Sequence, residues 1–277
     1  ISAEDRARIR KNLGLDQPLP VQYFKWLSLA VRGDFGYSIT NRQPVSELIM
    51  QRMPQTLVLM VTAEVVIIAL SALLGIYSAI KQYSVFDNVL TGLSFVGFSL
   101  PIFFIALTLM FIFAVQFKVW GLPYLPTGAD VWEFTDLPEL ARHLVLPVAS
   151  LAIIQVAGYT RYLRSSMLEV LSQDYIRTAR AKGLVEQAVV VRHALKNAAL
   201  PLVTLIGLDA PALLAGAIVT ETVYSWPGMG RLFWQQAGRG DYPTVMAILL
   251  IVATAVVFFQ IITDVAYTLI DPRIRLS

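Results

Sequence analysis

The sequence predicts an all-α protein that crosses a membrane several times, and three observations carry that reading. Five long apolar stretches interrupt the 277 residues. Charge is sparse: 15% of the residues are Asp, Glu, Lys or Arg, against roughly 25% in a typical soluble protein, and 56% are apolar. A soluble domain of this length needs more polar residues to cover its surface. The apolar stretches also lack period-2 alternation and are too long for strands, which argues against a membrane barrel.

Residues 1–56 read as an external leader region, polar overall, with helical patterning over Ala3–Leu13 and Val21–Val31. The first residue is Ile1 and the opening stretch is no signal peptide, so a sixth, N-terminal span is expected to precede the chain. A transmembrane domain, 57–277, follows. A bilayer core of roughly 30 Å asks for about 20 apolar residues in a helix. The stretches near Leu57–Ile80, Leu90–Phe117, Leu144–Tyr162, Ala199–Val219 and Val245–Ile270 meet it; the second contains Pro101 and the third Pro147. A short turn, Lys81–Asn88, links the first two. The loops at 118–142 and 221–244 carry Pro, Gly and aromatic residues, and a polar segment at 164–198 separates the third and fourth spans.

Orientation follows from Lys and Arg in short loops, which favour the cytoplasm. Residues 161–197 hold Arg161, Arg164, Arg177, Arg180, Lys182, Arg192 and Lys196, while the neighbouring loops hold only Lys118 and Arg142, then Arg231 and Arg239. The segment 164–198 is therefore expected to be cytoplasmic and the two loops external. The leader carries eight Lys and Arg against five acids, but long translocated regions largely escape the rule.

Gln173–Pro201 reads QDYIRTARAKGLVEQAVVVRHALKNAALP. A first short helix is expected to stop at Gly183, the residue type that most readily closes a helix C-terminus. A second runs over Val185–Asn197, with Glu186, Val189, Val190, His193 and Asn197 on one face. Ala179, Ala181 and Gly183 would then form a small-residue surface between basic side chains. Such a helix fits a groove on a partner protein or lies on anionic lipid, and spacing alone leaves both open.

The run Arg177–Gly183 resembles the E-A-A-x-x-x-G signature of ABC-importer permeases, with Arg177, Thr178 and Ala179 in the E-A-A places. It departs from the signature at Arg177 and again at His193–Lys196. Both departures resemble the dipeptide/oligopeptide/nickel branch, whose pattern matches Tyr175–Gly183 and Arg192–Pro201. Leu13–Leu27, Gly33–Ser38, Ser99–Phe104, Glu221–Arg231, Asp241–Pro243 and Asp264–Arg275 match in order, so the likeness covers nearly the whole chain. The leader resembles that of the B-type member of the permease pair.

The resemblance implies a type I importer permease of a bacterial cytoplasmic membrane. It implies a second homologous permease, two ATPase subunits and an external substrate-binding protein as partners. ATP and Mg would sit on the ATPases, with no cofactor on this chain. Tyr175, Arg177, Thr178, Ala179, Arg180, Ala181, Lys182, Gly183 and Leu184 would form the ATPase-coupling helix. The cargo would be an oligopeptide or dipeptide, with a nickel chelate as the alternative.

Other residues admit two readings. Glu64, Asp209 and Asp264 place charge in or near apolar spans, where it is costly and serves either function or pairing. Asp209 is the candidate for the substrate path, the alternative being a hydrogen bond to a neighbouring helix. Trp226, Pro227, Gly228 and Met229 are candidates for an external gate or docking loop, or form a plain turn with Trp226 at headgroup level. Trp120, Tyr124 and Trp132 read as an aromatic belt. His193 and His143 have no companions at metal spacing. No motif for hydrolysis or nucleotide binding is present, and no basic stripe for nucleic acid, so catalytic roles are not expected. A self-sufficient ion-coupled transporter using Asp209 or Glu64 is the competing class.

Overall fold

A computed structural model describes residues 16–128, 136–216 and 218–270; the side chains of 208, 210–216, 264 and 266–270 are outside that description. The predicted helix Ala3–Leu13, the tail Asp271–Ser277, Trp132 and the Asp264 side chain therefore lie outside the described residues. The elements are α1 (Leu19–Ala30), α2 (Val45–Ile80), α3 (Val85–Ser99), α4 (Ile102–Val119), α5 (Leu137–Leu171), α6 (Asp174–Ala181), α7 (Glu186–Ala198), α8 (Leu200–Gly216), α9 (Ile218–Val223), α10 (Met229–Gly238) and α11 (Tyr242–Ile270).

The long helices α2 and α5 form the spine. On α2 the buried positions Thr56, Leu59, Ala63, Ile67, Ser71, Gly75 and Ser78 recur every three or four residues, the period of one helix face. Small residues on that face let the backbones approach: a Cβ added at Gly75 would stand 3.2 Å from the Thr160 carbonyl and from Leu163 Cβ. The main core gathers Leu59, Ala63 and Ile67 of α2 with Leu144, Val148, Tyr159 and Leu163 of α5, then continues into α6, α7 and α8.

Three expected boundaries are corrected. The predicted span Leu90–Phe117 is two helices, because Pro101 has no N–H to continue the ladder and holds Leu100 extended (ψ 134°). Both pieces still run antiparallel to α5 as one broken span: Asp87 meets Arg164, Gly97 meets Ile153, and Ala106 shares a cluster with Leu146. The α5 helix starts at Leu137, capped by Asp136, and continues through Arg164 to Leu171, so the first part of the expected polar segment 164–198 belongs to the span helix. Helix also runs up to the fourth span without a loop, since α7 leads into α8 with a bend of 47°.

By length and apolarity α2, α4, α5 and α11 are each able to cross a membrane, and the bent α7–α8 pair gives a fifth candidate if the two helices are counted as one. Between α8 and α11 a Cβ at Gly207 would fall 1.9 Å from the Thr263 hydroxyl, so only glycine permits that packing. One end of the bundle carries α6 and α7. The other carries α9, α10 and the 33–44 loop around a second core of Val45, Leu48, Met229, Leu232 and Ile248.

Candidate functional site

At the first end, α6 lies between Gln173 and Gly183. Asp174 in its first turn and Arg180 in its last complement the helix dipole. Gly183 closes it as expected: its φ is +78°, and its amide donates to the Arg180 carbonyl at 2.9 Å. Nothing lies within 4 Å of a Cβ built there, so the backbone conformation, not crowding, demands glycine.

The inward face of α6 is Ile176 and Ala179, both buried in the main core beside Val189, Val190 and Ala194 of α7. This corrects one expectation. Ala179 was placed on a small-residue docking surface with Ala181 and Gly183; it is 6% exposed and packs inward. The outward face consists of Tyr175, Arg177, Thr178, Arg180, Ala181, Lys182, Gly183 and Leu184.

Side-chain bonds fasten α6 to α7. Arg180 donates through Nε and Nη2 to the Glu186 carboxylate at 3.1 and 2.6 Å. That hydrogen-bonded guanidinium holds the Glu186 carboxyl below its ordinary pKa. Asn197 Nδ2 donates to the Tyr175 hydroxyl at 3.0 Å. The expected common face of α7 is also shifted. Its middle, Val189–Leu195, is π-helical, so the buried set is Val189, Val190, Ala194 and Ala198, while Glu186 and Asn197 point outward to grip α6.

The opposite end is organised by two buried carboxylates that the residue-by-residue reading missed. Glu221 is fully buried and accepts from Thr56 Oγ1 at 2.9 Å and the Arg231 amide at 2.8 Å. Thr56 Oγ1 in turn accepts from the Met229 amide at 2.7 Å. Arg231 donates to the Ser225 carbonyl at 2.6 Å, and Trp226 Nε1 to the Gln55 carbonyl at 3.0 Å. A Cβ at Gly228 would come within 2.3 Å of the Glu221 carboxylate. The Glu221–Arg231 run is thus a turn folded around its own first residue and pinned to α2.

That geometry corrects two expectations for this loop. Trp226 is 1% exposed, so it does not stand at headgroup level. Met229 and Gly228 are buried with it, so of the four candidates only Pro227 offers any surface to a docking partner. Trp120 and Tyr124, in contrast, are exposed as an aromatic belt requires, with Lys118 over the Tyr124 ring at 5.3 Å.

Asp241 is the second centre. It accepts from the Ser38 hydroxyl and from the Ile39 and Thr40 amides at 3.2 and 3.5 Å, tying the Gly33–Ser38 block to the Asp241–Pro243 block across the sequence. Burial opposes ionisation there, but the Ser38 hydroxyl and the two amides outweigh it and hold the carboxyl below its ordinary pKa. The signal was the recurrence of acid-plus-turn blocks, Gly-Asp, Asp-Tyr-Pro and Glu followed by Pro-Gly, which read individually as loop residues.

Midway along the bundle, Asp209 of α8 accepts from the Tyr159 hydroxyl of α5 at 2.9 Å. Glu64 of α2 lies close by, its carboxylate oxygens buried near the same Tyr159 and Asp209. Two of the charges expected in spans therefore meet around one tyrosine. The Asp87–Arg164 pair was not anticipated: two bonds of 2.7 Å join α3 to α5.

Residues 71–276 match the model of the binding-protein-dependent transport system inner membrane component, and residues 1–60 match that of the N-terminal region of such membrane components. The oligopeptide transport system permease protein AppB of Bacillus subtilis is 44% identical over 99% of this chain and 86% of that protein. The dipeptide transport system permease protein DppB of Escherichia coli K12 is 40% identical, again over 99% and 86%. Among solved structures, an inward-facing form of the MetNI methionine ABC transporter aligns over 80% of this chain and 96% of that one, with a TM-score of 0.61 at 14% identity. The last likeness concerns fold alone: the described helices adopt a type I importer permease architecture.

Proposed function

The chain belongs to the family of binding-protein-dependent transport system inner membrane components, and we propose that it is the subunit that passes peptides across the bacterial inner membrane while separate ATPases supply the work. The oligopeptide and dipeptide relatives support the cargo.

One observation carries the mechanism. The α6 helix is both presented and anchored: its basic, polar face is exposed while Ile176 and Ala179 enter the core that contains α2, α5 and α8. A helix built in that way transmits a push. An ATPase groove that grips the face from Tyr175 to Leu184 moves the core residues beneath it, because close-packed interiors respond as units. The Arg180–Glu186 and Tyr175–Asn197 bonds keep α6 from sliding over α7 during that push. ATP binding then biases the bundle between inward- and outward-open states through differential contacts at this face.

This reading places α6–α7 in the cytoplasm and the Glu221 and Asp241 centres outside, consistent with the basic residues of 161–197. The full complex contains two ATPases, a second permease and a substrate-binding protein. Asp209 enters as the acidic group on the peptide path, positioned by Tyr159 beside Glu64. An Asp209→Asn variant should assemble normally and lower peptide uptake several-fold, read as initial rates over a series of peptide lengths. Unchanged uptake at every length removes Asp209 from the path and leaves it a helix–helix contact.

Co-purification tests the whole. A permease pair with two ATPases, whose ATP hydrolysis rises when loaded binding protein is added, is the expected result. Proton-driven peptide uptake by this chain alone in vesicles would sink it in favour of an ion-coupled transporter.

A further inference from the structure

Between α3 and α5, toward the coupling end, lies a pocket of about 190 Å3. That volume is below the roughly 300–1,000 Å3 of sites that enclose a drug-sized ligand, so it suits a headgroup fragment and not a peptide. Its lining includes Arg161, Arg164, Thr91, Phe95 and Phe98.

The two arginines differ. Arg164 is committed to Asp87 by two bonds of 2.7 Å. Arg161 is exposed, stands over the Phe98 ring at 5.8 Å, and makes no ion pair among the described residues. The pocket therefore offers one unmatched cation beside aromatic rings that are 59% and 61% exposed.

We propose that this pocket holds the phosphate of an anionic phospholipid of the cytoplasmic leaflet. Arg161 pairs with the phosphate, and the acyl chain lies along Phe95 and Phe98. The depth is suitable. Arg161 lies ten residues before the end of α5 at Leu171, about 15 Å along the axis. An arginine at that depth extends its apolar stem toward the headgroup plane. The proposal rests on the coupling end facing the cytoplasm. A bound lipid there would link α3 to α5 next to the Asp87–Arg164 pair, making the junction between the broken span and the spine sensitive to membrane charge.

The test uses the assembled transporter, purified in detergent and stripped of lipid. It is incubated separately with phosphatidylglycerol, phosphatidylcholine and inorganic phosphate, and bound ligand is counted by native mass spectrometry. Phosphatidylglycerol should be retained at one site on this chain in preference to phosphatidylcholine. Its affinity should fall about tenfold in Arg161→Gln, while Arg161→Lys keeps most of it. Equal retention by the original chain and Arg161→Gln overturns the proposal. So does binding of inorganic phosphate without lipid, which makes the ligand a free anion. Loss of the second permease in Arg161→Gln with lipid retention unchanged also overturns it, by assigning the pocket to the subunit interface. Retention is measured without ATP or peptide, so its outcome is separate from that of the coupling assignment.

Discussion

The two ends of the bundle use polar residues in opposite ways. At the coupling end, Arg177, Arg180 and Lys182 point outward, and the single ion pair joining α6 to α7 is a surface one, with side chains 42% and 55% exposed. At the far end, Glu221 and Asp241 are fully buried, each satisfied by donors from segments distant in sequence. The coupling end is fastened mainly by apolar packing and leaves its charges available to a partner. The far end adds buried carboxylates to its own apolar core, and those two charges are not available to a partner. Substitutions of polar residues should therefore harm recognition at one end and folding at the other.

The largest effect should come from Glu221→Ala. Removing the carboxylate leaves the Thr56 hydroxyl and the Arg231 amide without their acceptor, and a network of this kind loses about 2–4 kcal/mol when one member is deleted. Thermal unfolding in detergent should show a clearly lowered Tm. A variant as stable as the original chain would mean the far end is held by apolar contacts as the coupling end is, and the contrast would collapse.

Asp241→Asn should cost about 1–3 kcal/mol, since Asn keeps the shape but loses the charge that three donors address. It also carries a pH signature. A carboxyl held below its ordinary pKa stabilises the fold fully above the unfolded value near 3.9, and that contribution is lost as pH falls through the lower folded value. The difference in Tm between the original chain and Asp241→Asn should thus be constant near neutrality and shrink below about pH 4. A gap that widens in acid would contradict the assignment.

The smallest effect should be that of Arg180→Ala. An exposed pair is worth about 0–1 kcal/mol, so the Tm should barely move. Coupling should suffer more than stability, because α6 is then free to shift against α7. A fall in Tm matching that of Asp241→Asn would show that the surface pair, and not the Ile176–Ala179 packing, holds the helix.

Much of this was readable in the sequence because the physics is local. Apolar stretches of bilayer length must be helices, and Gly183 had to end α6 because few residues adopt its φ of +78°. The break at Pro101 was visible as a residue but its consequence was not, since prolines in spans either kink or divide a helix according to their neighbours. Ala179 illustrates a deeper limit. A small residue is equally suited to a docking face and to a close helix contact, and only the position of Val189 and Val190 decides between them. The π-helical turn that sets that position leaves no periodic mark of its own. Glu221 and Asp241 were hidden for the same reason: their partners Thr56 and Ser38 lie 165 and 203 residues away, and no spacing rule reaches that far.

The central claim, that the exposed face of α6 couples the bundle to an ATPase, is tested most directly by Ala181→Asp. The site is exposed, so the fold should be unchanged, with a Tm shift equivalent to no more than about 0.5 kcal/mol. The measurement is peptide-stimulated ATP hydrolysis by the reconstituted complex. A loss of tenfold or more, with both permeases still present in the membrane, is the predicted result. Full stimulation in Ala181→Asp, with the ATPases bound as before, would contradict the assignment of α6 as the coupling helix.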